Sequence, residues 1–222
     1  MSKQNVWGIY VIDLILKGFL ETVAMVTLSA ALGFVIGTPI ALFLWIISPV
    51  GLTPKPFWHK VNGFIINALR SIPYIIFMVL LLPLTRLIVG TSIGTLAATL
   101  PLSLAAILLY IRLAEDIFET LPKGLVEAGK TMGATKKQIL IKIVFSESLP
   151  QLAAALTNLT VMLIGFSAMA GAVGGGGLGD LAIRYGYQRY DLLFLGVIVL
   201  VLVLMVQCVQ MLGNHLVQKL RS

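Results

Sequence analysis

Long stretches without any Asp, Glu, Lys or Arg constrain the fold of this chain more than any other feature. They cover residues 22–54, 87–111, 148–179 and 192–218. Each is longer than the ~20 residues that an α-helix needs to cross the hydrocarbon core of a bilayer. Only 11% of the 222 residues are charged, against roughly 25% in soluble domains. The chain is therefore predicted to be an all-α integral membrane protein.

A further span is predicted around Arg70. The stretch 61–85 has Arg70 as its only charge, and the uncharged part after it reaches only about 22 Å as a helix. That is shorter than the ~30 Å hydrocarbon core, so the span must begin before Arg70, whose guanidinium reaches the interface or a wet interior. We predict one membrane domain over residues 1–222, with a polar loop over 113–147. Its spans are predicted near 19–47, 61–85, 91–112, 148–172 and 192–214.

The positive charges are distributed unevenly between the two sides of the membrane. Five spans place successive loops on alternating sides, and few of the 16 Lys and Arg residues fall on the side of the N-terminus. Because basic residues favour the cytoplasmic side, the N-terminus is predicted outside, and the C-terminus and the loop 113–147 in the cytoplasm. This bias explains the formal net charge of +7 without nucleic acid. The basic residues on the outer side are Lys3, Lys17, Arg86, Arg184 and Arg189.

Residues that could carry enzyme chemistry are few and scattered. Cys208 is the only cysteine, and neither His59 nor His215 has a partner at metal-ligand spacing. Both histidines are predicted to be interfacial side chains, and we expect no metal site. Glu115 and the other acids near the span ends have no histidine close in the pattern, so no catalytic constellation is apparent at membrane depth.

A glycine-rich segment follows the run 148–172. Gly174, Gly176 and Gly179 match GxGxxG, but a dinucleotide fingerprint must follow a strand in a soluble βαβ unit. The chain also has no GxxxxGK[ST] motif, so it cannot hold ATP in a P-loop of its own. We predict instead a tight, closely packed loop at the outer mouth of the protein.

Small residues and prolines inside the spans indicate helices that pack closely around a pathway or a mobile core. Gly33 and Gly37 form a GxxxG pattern, which lets helices approach closely but is expected equally from the abundance of glycine in membrane helices. Prolines remove a backbone donor and can bend or break a helix, which a membrane tolerates where neighbours or water satisfy the freed groups. The prolines that suggest a pathway or a mobile core are Pro39, Pro73, Pro83 and Pro101.

The loop 113–147 contains a compact, patterned segment. Pro122 suits the first turn of a short helix, which Gly133 ends. Thr135 and Gln138 have the spacing of a capping box, so a second helix is predicted to start there and lead into the next span. The apolar stripe of the short helix is too small to anchor in lipid and suits a groove in a partner protein better. Its members are Leu125, Ala128, Gly129 and Met132.

This segment resembles the EAA motif of the permease subunits of bacterial ABC importers. The family consensus is Glu-Ala-Ala, three residues, Gly, nine residues and Ile, and here Glu127-Ala128-Gly129 is followed by Gly133 and Ile143. Gly129 replaces the second Ala, and residues 145–146 are Phe-Ser where the consensus has Leu-Pro. Together with the segments 67–94 and 165–187, the motif resembles the methionine-uptake permeases of this family. The resemblance extends from about residue 18 to the C-terminus.

The resemblance implies the fold of the type I ABC importer permeases, location in the bacterial inner membrane, and a transporter whose functions are divided among separate subunits. Two copies of the permease would form the translocation pathway, two cytoplasmic subunits would bind ATP and Mg and hydrolyse the ATP, and an external binding protein would deliver methionine. This chain would then bind no cofactor and would not itself be an enzyme. Its coupling helix, 127–134, would dock on the ATPase. The residues assigned to coupling are Leu125, Glu127, Ala128, Gly129, Lys130, Thr131, Met132, Gly133 and Ala134.

The resemblance also points to residues of the pathway. Phe166, Ser167 and Met169 lie in the inner part of the segment that is similar to the family's gate, and a flexible, polarizable Met can seal a pore and yield to a thioether cargo. Without the resemblance, ordinary helix packing is the simpler interpretation of Met169. Ser71 and Pro73 form a second candidate group.

Other functions remain open at this stage. The cargo could be another amino acid or a methionine derivative, in the D or the L form. A stand-alone channel or secondary transporter should show internal repeats or intramembrane ionisable pairs, and neither is evident in the sequence. Stable co-purification with an ATPase would separate an importer from these alternatives and from a membrane enzyme.

Overall fold

The computed structural model describes the backbone of residues 3–221 and the side chains of residues 11–122 and 124–221. The described residues form helices and connecting loops without a β-strand, which confirms the predicted all-α fold. Two π-helical segments interrupt the α-helical pattern, one from Ile139 to Phe145 and one from Ala182 to Tyr187. The α-helices are α1 (Lys3–Ile47), α2 (Pro56–Arg70), α3 (Tyr74–Val89), α4 (Thr95–Glu119), α5 (Lys123–Thr131), α6 (Lys136–Gln138), α7 (Ser146–Ala172), α8 (Gly177–Leu181) and α9 (Leu192–Arg221).

Several helices are long and apolar enough to cross a membrane. Within the described residues, 4 stretches qualify alone, and up to 5 qualify if α2 and α3 are counted as one broken span. α2 and α3 can also be read as a re-entrant loop. The stretches that qualify alone are Val11–Ile47, Thr95–Glu119, Lys136–Ala172 and Leu192–Arg221.

The stretch 61–85 is divided between two helices. α2 ends at Arg70, and α3 begins at Tyr74 with Pro73 as its N-cap residue. Proline has no N–H to donate and disfavours helical geometry in the residue before it, so the helix stops ahead of Pro73. The other prolines noted in the spans lie inside helices that continue past them: Pro39, Pro83 and Pro101.

The chain forms two compact units, and the first consists of residues 3–30, 73–104 and 160–209. A buried apolar cluster of Leu178, Leu181, Phe194 and Ile198 joins α8 to α9. α7 and α8 approach each other closely, because a Cβ on Gly179 would lie 2.5 Å from the Cα of Ala168 and nearer still to its carbonyl oxygen. This contact leaves no room for a side chain at residue 179.

The predicted tight glycine loop lies in the first unit and precedes α8. Glu21 of α1 accepts a hydrogen bond from the N–H of Gly177 at 2.8 Å, and the hydroxyl of Thr22 accepts one from the N–H of Leu178 at 2.9 Å. α1 therefore supplies acceptors for backbone donors at the start of α8. The glycines of the loop with positive φ angles, which only glycine adopts readily, are Gly174, Gly176 and Gly177.

The second unit consists of residues 31–72, 105–159 and 210–221. α1 and α4 pack closely in it, because a Cβ on Gly33 would lie 3.2 Å from the backbone of Ala106, and one on Gly37 would lie 3.2 Å from the ring of Tyr110. Tyr110 is fully buried, and its hydroxyl donates to the carbonyl of Leu152 in α7 at 3.1 Å. The structure thus favours close packing as the reason for the GxxxG pattern.

We predict that Gly179→Ala destabilises the protein, because the new methyl group would overlap backbone atoms of Ala168 that cannot rotate away. Overpacking of this kind costs about 1–3 kcal/mol. The loss of stability is measured as the decrease in the unfolding temperature of the purified protein in detergent. Gly196→Ala is the matched control, since a Cβ there has nothing within 4 Å. Equal unfolding temperatures for the two variants would contradict the close α7–α8 contact.

Candidate functional site

The predicted coupling segment forms a short helix with defined ends. α5 begins after Pro122, its N-cap residue, and ends at Thr131. Gly133 follows in the left-handed conformation with φ +75°, and the N–H of Ala134 donates a hydrogen bond to the carbonyl of Gly129 at 3.0 Å. A residue with a side chain is strained at such a φ, so Gly133 determines the turn. The predicted end of the helix is confirmed.

The chain then restarts as a helix through the predicted capping box. The backbone N–H of Gln138 donates to the hydroxyl of Thr135 at 3.3 Å, and the side chain of Gln138 accepts from the N–H of Thr135 at 2.8 Å. This reciprocal pair satisfies donors at the start of α6. The path continues through the π-helical segment into α7, so a continuous helical stretch runs from Lys136 to Ala172.

α5 has one face buried by its own chain and one face open. Val126 and Gly129 are buried. A Cβ on Gly129 would lie 2.6 Å from Cδ1 of Ile143, so these two positions of the EAA pattern are in contact. The predicted apolar stripe is therefore divided, because Gly129 faces inward while Leu125 and Met132 remain 36% and 78% exposed.

Most of the predicted coupling residues lie on accessible parts of the segment. Ala134 is half-buried and Gly129 is buried. A cavity of about 220 Å³ lies on the inner side of α5, against the ends of α1 and α4, and Val126, Glu127 and Lys130 contribute to its lining. The coupling residues that are exposed are Leu125, Glu127, Ala128, Lys130, Thr131, Met132 and Gly133.

The predicted pathway residues of α7 do not share one environment. Met169 is 47% exposed, and Phe166, one helical turn before it, is half-buried. Ser167 is buried, and its hydroxyl donates to the carbonyl of Ile164 in the same helix at 2.7 Å. Met162 is 43% exposed and lies on the face of Phe166 and Met169, at the spacing i, i+4, i+7. The open face of α7 therefore carries Met162, Phe166 and Met169, and Ser167 points elsewhere.

Tyr74 contacts Phe166 directly. The two rings are stacked with centroids 4.6 Å apart and an interplanar angle of 5°. Tyr74 is 7% exposed, and its buried hydroxyl has no hydrogen-bond partner among the described residues. A buried hydroxyl left unpaired costs about 1–3 kcal/mol, so the hydroxyl of Tyr74 carries a local penalty. Tyr74 holds the ring of Phe166 in place from α3.

Ser71 and Pro73 lie at the break between α2 and α3. Both are exposed, and the hydroxyl of Ser71 donates to the carbonyl of Asn67 at 2.7 Å. Arg70 is exposed in the last turn of α2. Pro73 has a local role that is visible in the structure, because it starts α3 so that Tyr74 is its first residue.

The structure also shows a charged cluster that sequence reasoning missed. The Nε2 atom of His59 in α2 lies 2.8 Å from Oε1 of Glu115 in α4, although 56 residues separate the two. Arg112 donates to Oε2 of Glu115 at 3.0 Å and pairs with Asp116 at 2.9 Å, and Glu119 lies 4.0 Å from His59. The sequence analysis found no partner for His59 at metal-ligand spacing, and the structure places Glu115 beside it. A spacing of 56 residues carries no local signal, so only tertiary packing could reveal this contact.

Comparisons with known proteins show the family to which the chain is similar. Residues 37–222 match the family model described as the binding-protein-dependent transport system inner membrane component. A probable D-methionine transport system permease protein MetI of Vibrio cholerae is 43% identical over 207 residues, which cover 93% of this chain and 92% of that protein. The D-methionine transport system permease protein MetI of Escherichia coli K12 is 40% identical over 171 residues, covering 77% and 76% of the two chains.

Two solved structures are similar in fold. A chain of the MetNI methionine ABC transporter in inward-facing conformations superposes with a TM-score of 0.92 at 39% identity, over 99% of both chains. A chain of an amino acid ABC transporter with histidines gives a TM-score of 0.77 at 17% identity, which is a likeness of fold alone. The predicted type I importer permease fold is confirmed.

We predict that Glu115→Gln lowers stability more than Asp116→Asn does. Glu115 is 1% exposed and accepts hydrogen bonds on both oxygens, whereas the side chain of Asp116 is 52% exposed. Hydrogen bonds to charged groups contribute about 1.5–3 kcal/mol, while an exposed ion pair contributes about 0–1 kcal/mol. Thermal unfolding of both variants in detergent measures the difference. An equal effect of the two changes would show that the Glu115 pairing is not a stabilising contact.

Proposed function

The chain belongs to the family of binding-protein-dependent transport system inner membrane components, and we propose that it is the permease subunit of an ATP-driven importer for methionine. The observation that carries the proposal is the match, over 99% of both chains and at 39% identity, to a chain of the MetNI methionine ABC transporter. The named relatives with 40% and 43% identity are permease proteins of D-methionine transport systems, which supports the same cargo.

The permease works as a homodimer whose two copies enclose the pathway. Two cytoplasmic ATPase subunits bind ATP and Mg²⁺ and supply the energy of hydrolysis, and an external binding protein delivers the cargo. The orientation that fits this arrangement has the N-terminus outside and the C-terminus in the cytoplasm of a bacterial inner membrane. It is supported by the distribution of Lys and Arg between the loops.

α5 is the coupling helix. The side chains of Leu125 and Met132 are exposed apolar groups on an otherwise polar segment, and burying them in a groove of the ATPase removes apolar surface from water. Gly129 holds the other face of α5 against Ile143. A displacement of α5 is therefore passed to the segment that contains Ile143 and leads into α7.

ATP-dependent closure of the ATPase dimer changes the access of the pathway from one side of the membrane to the other. The helical stretch from Lys136 to Ala172 is continuous, and it connects the exit of α5 to Phe166 and Met169. In this way a movement at the ATPase reaches the gate. Gly133 is the turn that determines the direction in which α5 leaves this stretch.

The open face of α7 forms part of the cargo pathway. Met162 and Met169 have flexible, polarizable side chains that can seal a pore and then adapt to a passing side chain. Phe166 lies between them, held by the stack with Tyr74. Sulfur–aromatic contacts are favourable, so a thioether cargo suits a wall made of methionine and phenylalanine. Ser71 and Pro73 belong to the pathway at the break between α2 and α3.

The experiment that tests the function is uptake of labelled methionine into vesicles that contain this chain, its ATPase and its binding protein. ATP-dependent accumulation that unlabelled D- or L-methionine competes away is the expected result. If the binding protein stimulates ATP hydrolysis but no methionine is taken up, the importer function is supported and methionine is excluded as the cargo. The cargo is then another amino acid or a methionine derivative. Flux independent of ATP would exclude an importer in favour of a channel or a secondary transporter.

We predict that Gly133→Pro abolishes coupling. Proline fixes φ near −65°, whereas residue 133 has φ +75 and its N–H donates to the carbonyl of Lys130 at 3.0 Å. The substitution distorts the turn at a local cost of about 3 kcal/mol, while the membrane helices are untouched. ATP-dependent uptake should therefore fall to background, with normal amounts of the variant in the membrane.

Gly124→Ala is the matched control for this change, because a Cβ there has nothing within 4 Å and its φ is ordinary. It should transport as the unmodified chain does. If Gly133→Pro assembled and transported normally, α5 would not be the coupling helix.

We predict that Met169→Ala raises passive leakage through the pathway. The substitution removes a flexible side chain from the gate, so small solutes should cross vesicles faster in the absence of ATP. Met211→Ala is the control, since Met211 is 70% exposed on α9 and is not assigned to the pathway. Leakage is measured as the efflux of a trapped labelled amino acid. Equal efflux from the two variants would remove Met169 from the gate.

A further inference from the structure

We propose that His59, Glu115 and Glu119 form a binding site for a divalent transition-metal ion, with Zn²⁺ as the best fit. The ligand atoms of the three side chains all lie within 4.8 Å of one another. They come from two helices, because His59 belongs to α2, and Glu115 and Glu119 follow each other by one turn on α4. This spacing places both carboxylates on the same face of α4.

The distances suit a small ion. Nε2 of His59 lies 2.8 Å from Oε1 of Glu115 and 4.0 Å from Oε1 of Glu119. Ligands of a tetrahedral zinc ion, each about 2.0–2.2 Å from the metal, are roughly 3.4 Å apart. The observed separations lie on either side of this value. No pair of the three ligand atoms is more than 4.8 Å apart, so side-chain rotations that move the atoms by about 1 Å would bring them to zinc distances.

The charges near the site favour a cation. Three carboxylates lie near one another: Arg112 pairs with those of Glu115 and Asp116, and the carboxylate of Glu119 lies 4.0 Å from His59. The side chain of Glu115 is 2% exposed and that of His59 is 18% exposed. Negative charge that is mostly removed from water is costly unless a cation compensates it. One arginine offsets a single negative charge, so two of the three carboxylate charges are left for a divalent ion to offset.

Arg112 supports such a site and does not compete with it. Its guanidinium donates to Oε2 of Glu115, so an ion that replaces the hydrogen bond between Oε1 and His59 can coordinate Oε1 without displacing Arg112. Carboxylates that bind metals are commonly oriented by a hydrogen bond on their second oxygen. The guanidinium would perform this orienting role.

The ligand types select the metal. An imidazole nitrogen with two carboxylates suits zinc and related transition metals, whereas magnesium and calcium prefer oxygen ligands alone. Three protein ligands leave one tetrahedral position for water. The side chain of Glu119 is 35% exposed, which gives the ion a route from solvent.

The test is the zinc content of the purified full-length chain, without an affinity tag, dialysed at a fixed free Zn²⁺ concentration set by a chelator. All variants carry Cys208→Ser, because Cys208 is an exposed thiol and thiolates bind zinc. We expect one Zn²⁺ per chain in this parent. His59→Gln and Glu119→Gln should each weaken binding at least about tenfold, so that the metal is lost at the same free concentration.

His215→Gln is the matched control, because His215 is the only other histidine of the chain. It should retain the zinc of the parent, and Zn²⁺ should raise the unfolding temperature of both proteins but not that of His59→Gln. A glutamine at residue 59 can still donate to Glu115, and Glu119 is half-exposed, so at least one of the two site variants should remain folded. Equal zinc content in the parent, both site variants and the control would overturn the proposal and leave the cluster as an ion-pair network alone.

Discussion

The absence of water from the bilayer core requires every backbone N–H and C=O there to find a partner within the protein. This requirement explains why the described spans are helices, and the glycine loop after α7 also pairs backbone groups within the protein. Where the helix stops after Ala172, the N–H of Gly94 donates to the carbonyl of Gly174 at 2.9 Å. Glu21 and Thr22 accept from the first N–H groups of α8. The glycine loop is thus closed by partners that α1 and the start of α4 provide.

Glycine acts in three different ways in this molecule. Gly33 and Gly179 remove a side chain so that helices can approach closely. Gly133 supplies a positive φ at a turn, with open space around it. Gly129 combines a buried position with contact to Ile143, which explains why only a small residue fits there. The substitution of glycine for alanine in the EAA pattern is therefore a small adjustment of packing and leaves the short helix unchanged.

Local patterns in the sequence were sufficient to predict the parts of the site that depend on neighbouring residues. The turn at Gly133 and the capping box of Thr135 and Gln138 depend only on residues a few positions apart, and both are present as predicted. Met162 could have been found in the same way, because its spacing from Phe166 and Met169 is that of one helix face. Met162 lies three residues before the segment 165–187, which carries the resemblance to the family's gate.

Contacts between distant residues could not be predicted from a single sequence. The stack of Tyr74 on Phe166 and the pairing of His59 with Glu115 depend on how helices pack, and no periodicity encodes them. The break at Pro73 is an intermediate case. The proline was visible and a bend was expected, but the pattern did not distinguish a bent span from two separate helices.

The pairing within α4 has a consequence for the biosynthesis of the protein. Arg112 and Glu115 are three residues apart on one helix, so they can neutralise each other as soon as that helix forms during translation. The carboxylate of Glu115 then has a partner within α4 before α4 packs against another helix. His59 is synthesised earlier but can join the pair only when α2 packs against α4. The same carboxylate therefore pairs first within its own helix and later joins two helices in the finished fold.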